Sequence, residues 1–216
     1  MSSAEIWLYG SAARGDQDEA SDVDVLVASD RPLTADELRL PVEGPISLSR
    51  YGWRELEHMA GYGSLFLHHL KLEGRPLREQ PERRLRVILS ELGEYQRADL
   101  ELSSFRQVLD DVEHSLEGDF SAAYELSVIA TAARHAAILG CYLLGEPDFG
   151  RSSAFRALLP RLGYSTPETE SFVQLYCFRR AEDWGEPVDQ PDFTADVSSW
   201  VTRVRSLIDE VGDLSA

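Results

Sequence analysis

The chain has 216 residues, 43% of them hydrophobic and 27% charged, which is enough for a folded protein of one large or two small domains. Its formal net charge of −17 opposes binding to a phosphate backbone, where affinity depends on clustered cations, so nucleic acid is disfavoured as a partner. No apolar run approaches the ~18 residues of a membrane span, and the opening MSSAEIWLYG lacks the features of a secretory signal; the expectation is a cytoplasmic protein with no membrane partner.

In chain order, EIWLYG (Glu5 to Gly10) and DVDVLVAS (Asp22 to Ser29) are short runs rich in β-branched and aromatic residues, bounded by Gly, Ser and Asp, and read as strands. After one expected helical turn opened by Thr34, Gly44 to Tyr51 alternates apolar and polar residues like a third strand. WRELEHMA and GSLFLHHLKLEG read as two short helices, the second stopped by Gly74 and Pro76. His68 and His69 in that helix point about 100° apart, so they read as packing or hydrogen-bonding residues rather than joint metal ligands. Glu73 to Arg84 clusters proline, arginine and glutamate without periodicity and reads as a hinge.

Beyond Pro81 the period becomes helical. Leu85, Ile88, Leu89 and Leu92 recur at three- and four-residue spacing, as do Leu102, Phe105, Leu109, Val112 and Leu116, giving one long helix or two. SAAYELSVIATAARHAAILGCYLLG is alanine-rich and apolar around much of its circumference, the mark of a deeply buried helix. Three further amphipathic segments complete a bundle of four or five helices, with Arg179 and Arg180 reading as a solvated helix end. The expected organisation is a strand-bearing domain over residues 1–80 and an all-helical domain over 81–216. Cys141 and Cys177, flanked by apolar residues in helical segments, read as buried thiols.

The chemistry lies between the first two strands. Residues two apart on a strand share a face, about 6.6 Å apart at ~3.3 Å rise per residue, so Asp22 and Asp24 point one way while Val23, Val25 and Val27 point into a core. Two carboxylates this close repel unless a cation sits between them, and Mg²⁺, which takes oxygen ligands and is commonly shared with substrate phosphates, suits the pair. Gly10 permits close backbone approach to a ligand, and Ser11 begins a short turn whose N–H groups and hydroxyl suit phosphate oxygens. Arg14 suits phosphate too, or alternatively an ion pair with Asp16 or Asp24. Together these pieces fit a metal-bound nucleoside triphosphate.

GSAARGDQDEASDVDVLV, from Gly10 to Val27, resembles the signature of the DNA polymerase β-like nucleotidyltransferase superfamily, in which Gly-Ser is followed by Asp-x-Asp on the adjacent strand. With helices following, the chain resembles the minimal and antibiotic nucleotidyltransferases, and GSLFLHHLKLEGRPL is similar to a segment found in some of them. The resemblance covers residues 1–80 and implies an α+β fold: a small mixed β-sheet domain followed by an all-α helical bundle. It also implies Mg²⁺-dependent transfer of a nucleoside monophosphate from a nucleoside triphosphate, with ATP the expected donor, to a hydroxyl on a small molecule or a partner protein. Asp22 and Asp24 would be the catalytic, metal-holding pair, with Gly10, Ser11, Arg14 and Ser21 binding the nucleotide.

The superfamily's usual third carboxylate falls in ISLSRY at Ser47 or Ser49, and neither serves as a metal-holding base. Glu43, just before that strand, and Glu125, in the buried helix, are the candidate bases. The alternative is a catalytically degenerate, nucleotide-binding regulatory or antitoxin-like module.

Overall fold

The computed structural model describes residues 4–17, 22–34, 36, 40–118, 120–183 and 197–215, excepting the side chains of 179–183. The expected turn after Thr34 and the readings of Ser21, Arg179 and Arg180 thus lie outside the described residues. The chain forms two compact units, Met1–Gln96 and Arg97–Ala216.

The first unit is built on four strands, β1 (Glu5–Tyr9), β2 (Val23–Ala28), β3 (Ile46–Tyr51) and β4 (Arg75–Arg78), in the order β3-β2-β1-β4. β1 runs antiparallel to both β2 and β4, while β2 and β3 are parallel, so the sheet is mixed and the α+β expectation holds. Among the described residues four helices accompany it: α1 (Gly10–Arg14), α2 (Trp53–Gly61), α3 (Leu65–Glu73) and α4 (Arg84–Ser90). Strand alternation divides the sheet's two faces. Val23, Val25 and Val27 pack with Ile6 in one core, and Leu26 and Ala28 pack with Trp7 and Tyr9 in the other, beneath α2, α3 and α4.

Two expectations about the middle of the chain are corrected. The segment from Glu73 to Arg84 is not a structureless hinge, because Arg75–Arg78 pairs with the outer edge of β1 as β4. A strand this short shows no period, and Pro76 is tolerated because β4 lies at the sheet edge. The residues from Leu85 to Leu92 belong to the first unit, not to the helical domain, since Leu85, Ile88, Leu89 and Leu92 complete the core with Trp7 and Leu26. Their spacing is helical, as α4 shows, but periodicity does not contain which core the apolar face joins.

A buried acid ties α4 to the sheet. Glu5, fully inaccessible to solvent, accepts the Arg84 amide at 2.7 Å and, more weakly, the Leu85 amide at 3.4 Å, supplying across the chain the N-terminal cap that α4 does not find in its own sequence. Burial pushes the Glu5 carboxyl above its ordinary value, although the two amide bonds work the other way.

The second unit comprises α5 (Ala98–Ser115), α6 (Ala122–Leu143), α7 (Ser153–Leu158) with a 3-10 turn at Leu159–Leu162, α8 (Thr166–Asp183) and α9 (Val197–Asp213). α6 packs against each of the other four helices. With 22 residues it is long and apolar enough to span a bilayer by composition alone, contrary to the sequence expectation, but most of it is buried within the bundle. Gly140 lies so close to Leu158 and Val211 that a side chain there would displace both. Cys141 is buried as expected, its thiol pushed up to about 12 by burial, whereas Cys177 is exposed. Cys177 lies three residues after the exposed Gln174 on the outer face of α8, while Phe172, Val173, Leu175 and Tyr176 point inward.

Replacing Glu5 by alanine leaves buried amides at the start of α4 without an acceptor and is expected to cost about 2 kcal/mol in chemical denaturation. Because its folded-state value is raised, Glu5 favours the folded state most at low pH and loses that contribution as pH rises through the folded value. Glu5→Gln should flatten this part of the stability–pH curve.

Candidate active site

β1 ends at Tyr9, which lies opposite Asp24 in the β1–β2 register, so the chain leaves the sheet at Gly10 directly beside the Asp24 carboxylate. Gly10 adopts φ +69, and a Cβ at that position would collide with Asp24 Oδ2. Glycine is required twice over, for the left-handed backbone and for the close approach. α1 then turns once and closes at Gly15, φ 84, whose amide donates to the Ser11 carbonyl at 2.8 Å.

Ser11 is 4% exposed, and its hydroxyl has no hydrogen-bond partner among the described residues. A buried polar atom without a partner is costly and uncommon, and here it lies one residue from the glycine that touches Asp24. A phosphate oxygen would satisfy it.

Asp24 is half-buried on the face opposite the Val23, Val25 and Val27 core, and Asp22, also half-buried, directly precedes β2. Backbone alternation gives Asp22 the face of Asp24. The strand entry is pinned on the other side, where the Val23 amide donates to the Pro45 carbonyl at 2.8 Å. Among the described residues no group of three or more His, Cys, Asp or Glu side chains forms a metal-binding cluster. A divalent ion at this point would therefore rest on two carboxylates and on oxygens of its ligand, a donor set that fits Mg²⁺.

The β2–β3 register sets Ser47 beside Asp24 and Ser49 beside Leu26. Ser47 thus occupies the neighbouring position where a further carboxylate was expected. Ser49 is engaged elsewhere, its hydroxyl 2.9 Å from the Tyr9 hydroxyl. Glu43 is exposed in the loop before β3. Glu125 belongs to the second unit, where it is buried in α6 and accepts the Ser115 hydroxyl at 2.7 Å.

Arg14 is bound on both sides by acids. Its Nε donates to Asp16 at 3.1 Å and its Nη1 to Glu73 at 2.6 Å, so of the two roles open to it in the sequence, the structure realises the ion pair. His69 Nε2 lies 2.9 Å from the same Glu73 oxygen. The histidines are hydrogen-bonding residues, as expected: His68 Nε2 lies 3.0 Å from the Gly93 carbonyl, and burial pushes its pKa down.

Burial alone would raise the Glu73 pKa, but the hydrogen bonds and charges of His69 and Arg14 outweigh it and hold the carboxyl below its usual range. Burial, reinforced by the Asp24 charge, pushes the Tyr9 phenol up. Glu73 was missed in the sequence, where the available signal was an acid in the last turn of a helix, a position the helix dipole disfavours unless cations compensate it.

A family model described as a nucleotidyltransferase domain matches residues 1–112. The chain belongs to this nucleotidyltransferase family. The match spans the whole sheet and α4 and runs into α5, and the small mixed sheet followed by helices fits the polymerase β-like fold. No curated protein matches the chain significantly. The family assignment supports nucleotidyl transfer as the general chemistry and a nucleotide as substrate.

Gly10→Ala should cost about 1–2 kcal/mol of stability for the left-handed backbone and displace Asp24, which thermal unfolding together with nucleotide titration would reveal as a lowered Tm and weakened binding. Glu73, with its lowered folded-state value, contributes stability above the ordinary carboxylate pKa of about 4.3 and loses it as pH falls through the folded value. In Glu73→Gln the acid side of the Tm–pH profile should be shallower than in the parent.

Proposed function

We propose that the first unit transfers a nucleoside monophosphate from a nucleoside triphosphate, with ATP the expected donor, to a hydroxyl on a small molecule or a partner protein. The observation that carries this reading is the contact of Gly10 with Asp24 beside the buried, partnerless hydroxyl of Ser11. A bare backbone, an orphaned donor and a carboxylate pair are together the requirements of a polyphosphate bound through a divalent cation.

Asp22 and Asp24 would hold the ion, with Ser11 donating to a phosphate oxygen. Mg²⁺ bound there would neutralise charge on the phosphates and on the leaving pyrophosphate. The acceptor oxygen forms a bond to the α-phosphorus, the bond from that phosphorus to the pyrophosphate breaks, and the hydroxyl proton passes to a base. Glu43, exposed in the loop before β3, remains the candidate for that base on the sheet unit. Ser21 completes the proposed nucleotide-binding set. The acidic surface favours an acceptor that is neutral or cationic over a nucleic acid end.

A second reading has its own observation. Ser47 beside Asp24 supplies no carboxylate, which favours a module that binds nucleotide for regulation, or as an antitoxin-like partner, without turning it over.

Incubating the protein with labelled ATP, GTP, CTP and UTP plus Mg²⁺, with and without candidate acceptors, separates the two. Pyrophosphate release that falls by at least about 100-fold in Asp22→Asn or Asp24→Asn supports transfer. Metal-dependent binding without release supports the regulatory module, and no metal-dependent binding at all overturns both. In the transferase case, Ser47→Asp should speed turnover, since it sets a third carboxylate in register with Asp24.

A further inference from the structure

The helix α3 grips the Gly10–Ser11 turn at both ends. At the first end, Tyr9 stands immediately before Gly10, and its ring is met edge-on by Phe66 at 5.4 Å and by His69 at 5.6 Å between centroids. At the far end, Arg14 closes α1, and its guanidinium donates to Glu73. Glu73 Oε2 accepts from both sides, from Arg14 and from His69 one turn earlier in its own helix. One carboxylate oxygen therefore links α1, where Gly10 and Ser11 lie, to the histidine that braces Tyr9.

This arrangement is not what isolated helices prefer. Glu73 is the last residue of α3, where the helix dipole disfavours a negative charge, and its side chain is only 10% exposed. Arg14 is 22% and His69 15% exposed at the side chain, so the contacts form away from bulk water and escape most of the screening that weakens surface pairs. The acid in this unfavourable place is met by two partners, one from α1 and one from its own helix.

We propose that Glu73 is a positioning residue for the Gly10–Ser11 turn: through Arg14 it fixes α1 against the sheet, and through His69 it secures Tyr9, so that Ser11 and the Gly10 backbone stay aligned with Asp24. The nucleotide role of this turn rests on the function proposed above; its mechanical fixing does not. Arg14, on this view, acts through Glu73 and makes no phosphate contact of its own. The contrary arrangement, in which Glu73 merely occupies an arginine that phosphate would otherwise take, makes the opposite prediction for the same variant.

The test compares the full-length parent, Glu73→Gln, Arg14→Gln and the double variant. Amide hydrogen exchange at Gly15 and Asp16, both bonded to the Ser11 carbonyl, reports on the turn without any nucleotide, and exchange at Val23, bonded to Pro45, serves as the control. Protection at Gly15 and Asp16 should fall about tenfold in Glu73→Gln with Val23 unchanged. Affinity for ATP with Mg²⁺, measured by calorimetry, should fall about tenfold as well, and the double variant should bind no more weakly than either single one. A general loss of structure would instead lower Tm and protection everywhere.

Unchanged protection of the turn overturns the proposal, as does ATP affinity that is unaltered or raised in Glu73→Gln. If the parent takes up no nucleotide while Glu73→Gln still loses protection only at Gly15 and Asp16, the functional reading fails and the positioning role stands. If the parent binds ATP and the variant differs in neither measurement, the functional reading survives and the positioning role fails.

Discussion

Every feature of the candidate site depends on the approach of one backbone atom to one carboxylate. Gly10 leaves β1 against Asp24 at a distance that no side chain would allow. That approach exists because β1 and β2 pair with Tyr9 opposite Asp24, and the pairing holds its register because a one-residue slip would turn Val23, Val25 and Val27 out of their core. The apolar residues of β2 thus determine where its acidic residues stand. Ser11 follows Gly10 directly, buried at the start of the single turn that closes at Gly15.

The first unit places two further acids in its interior, and they meet opposite electrostatic conditions. Glu5 sits at the start of α4, where unpaired amides point toward it and offset part, though not all, of the cost of burying its charge. Glu73 sits at the end of α3, where the dipole opposes it, and needs side-chain partners instead. One joins the last helix of the unit to the first strand, the other joins the third helix to the first turn. Both contacts bridge distant parts of the sequence and close the sheet's helical layer around β1.

The sequence revealed most of what recurs with a period and most of what has a chemical pattern. β1, β2 and β3, the helices from α2 onward, and the shared face of Asp22 and Asp24 follow from alternation, helical spacing and stop signals. The register that puts Ser47 beside Asp24 matches one of the two positions expected for the missing carboxylate. β4 was hidden because four residues, one of them proline, carry no alternation and become a strand only through the free edge of β1. α4 was assigned to the wrong unit because an amphipathic helix states which face is apolar but not what covers it. Cys177 shows the same limit on a smaller scale, since flanking apolar residues on a helix do not place the residue between them inward.

The neutral hydroxyl of Ser47 stands beside Asp24, where the resemblance implied an acid, and this has an electrostatic consequence. A corner carrying two like charges stores less self-repulsion than one carrying three, so the metal-free protein is under correspondingly less electrostatic tension there. If Asp22 and Asp24 hold a cation as proposed, folding and ion loading would be less tightly coupled than in a three-acid site.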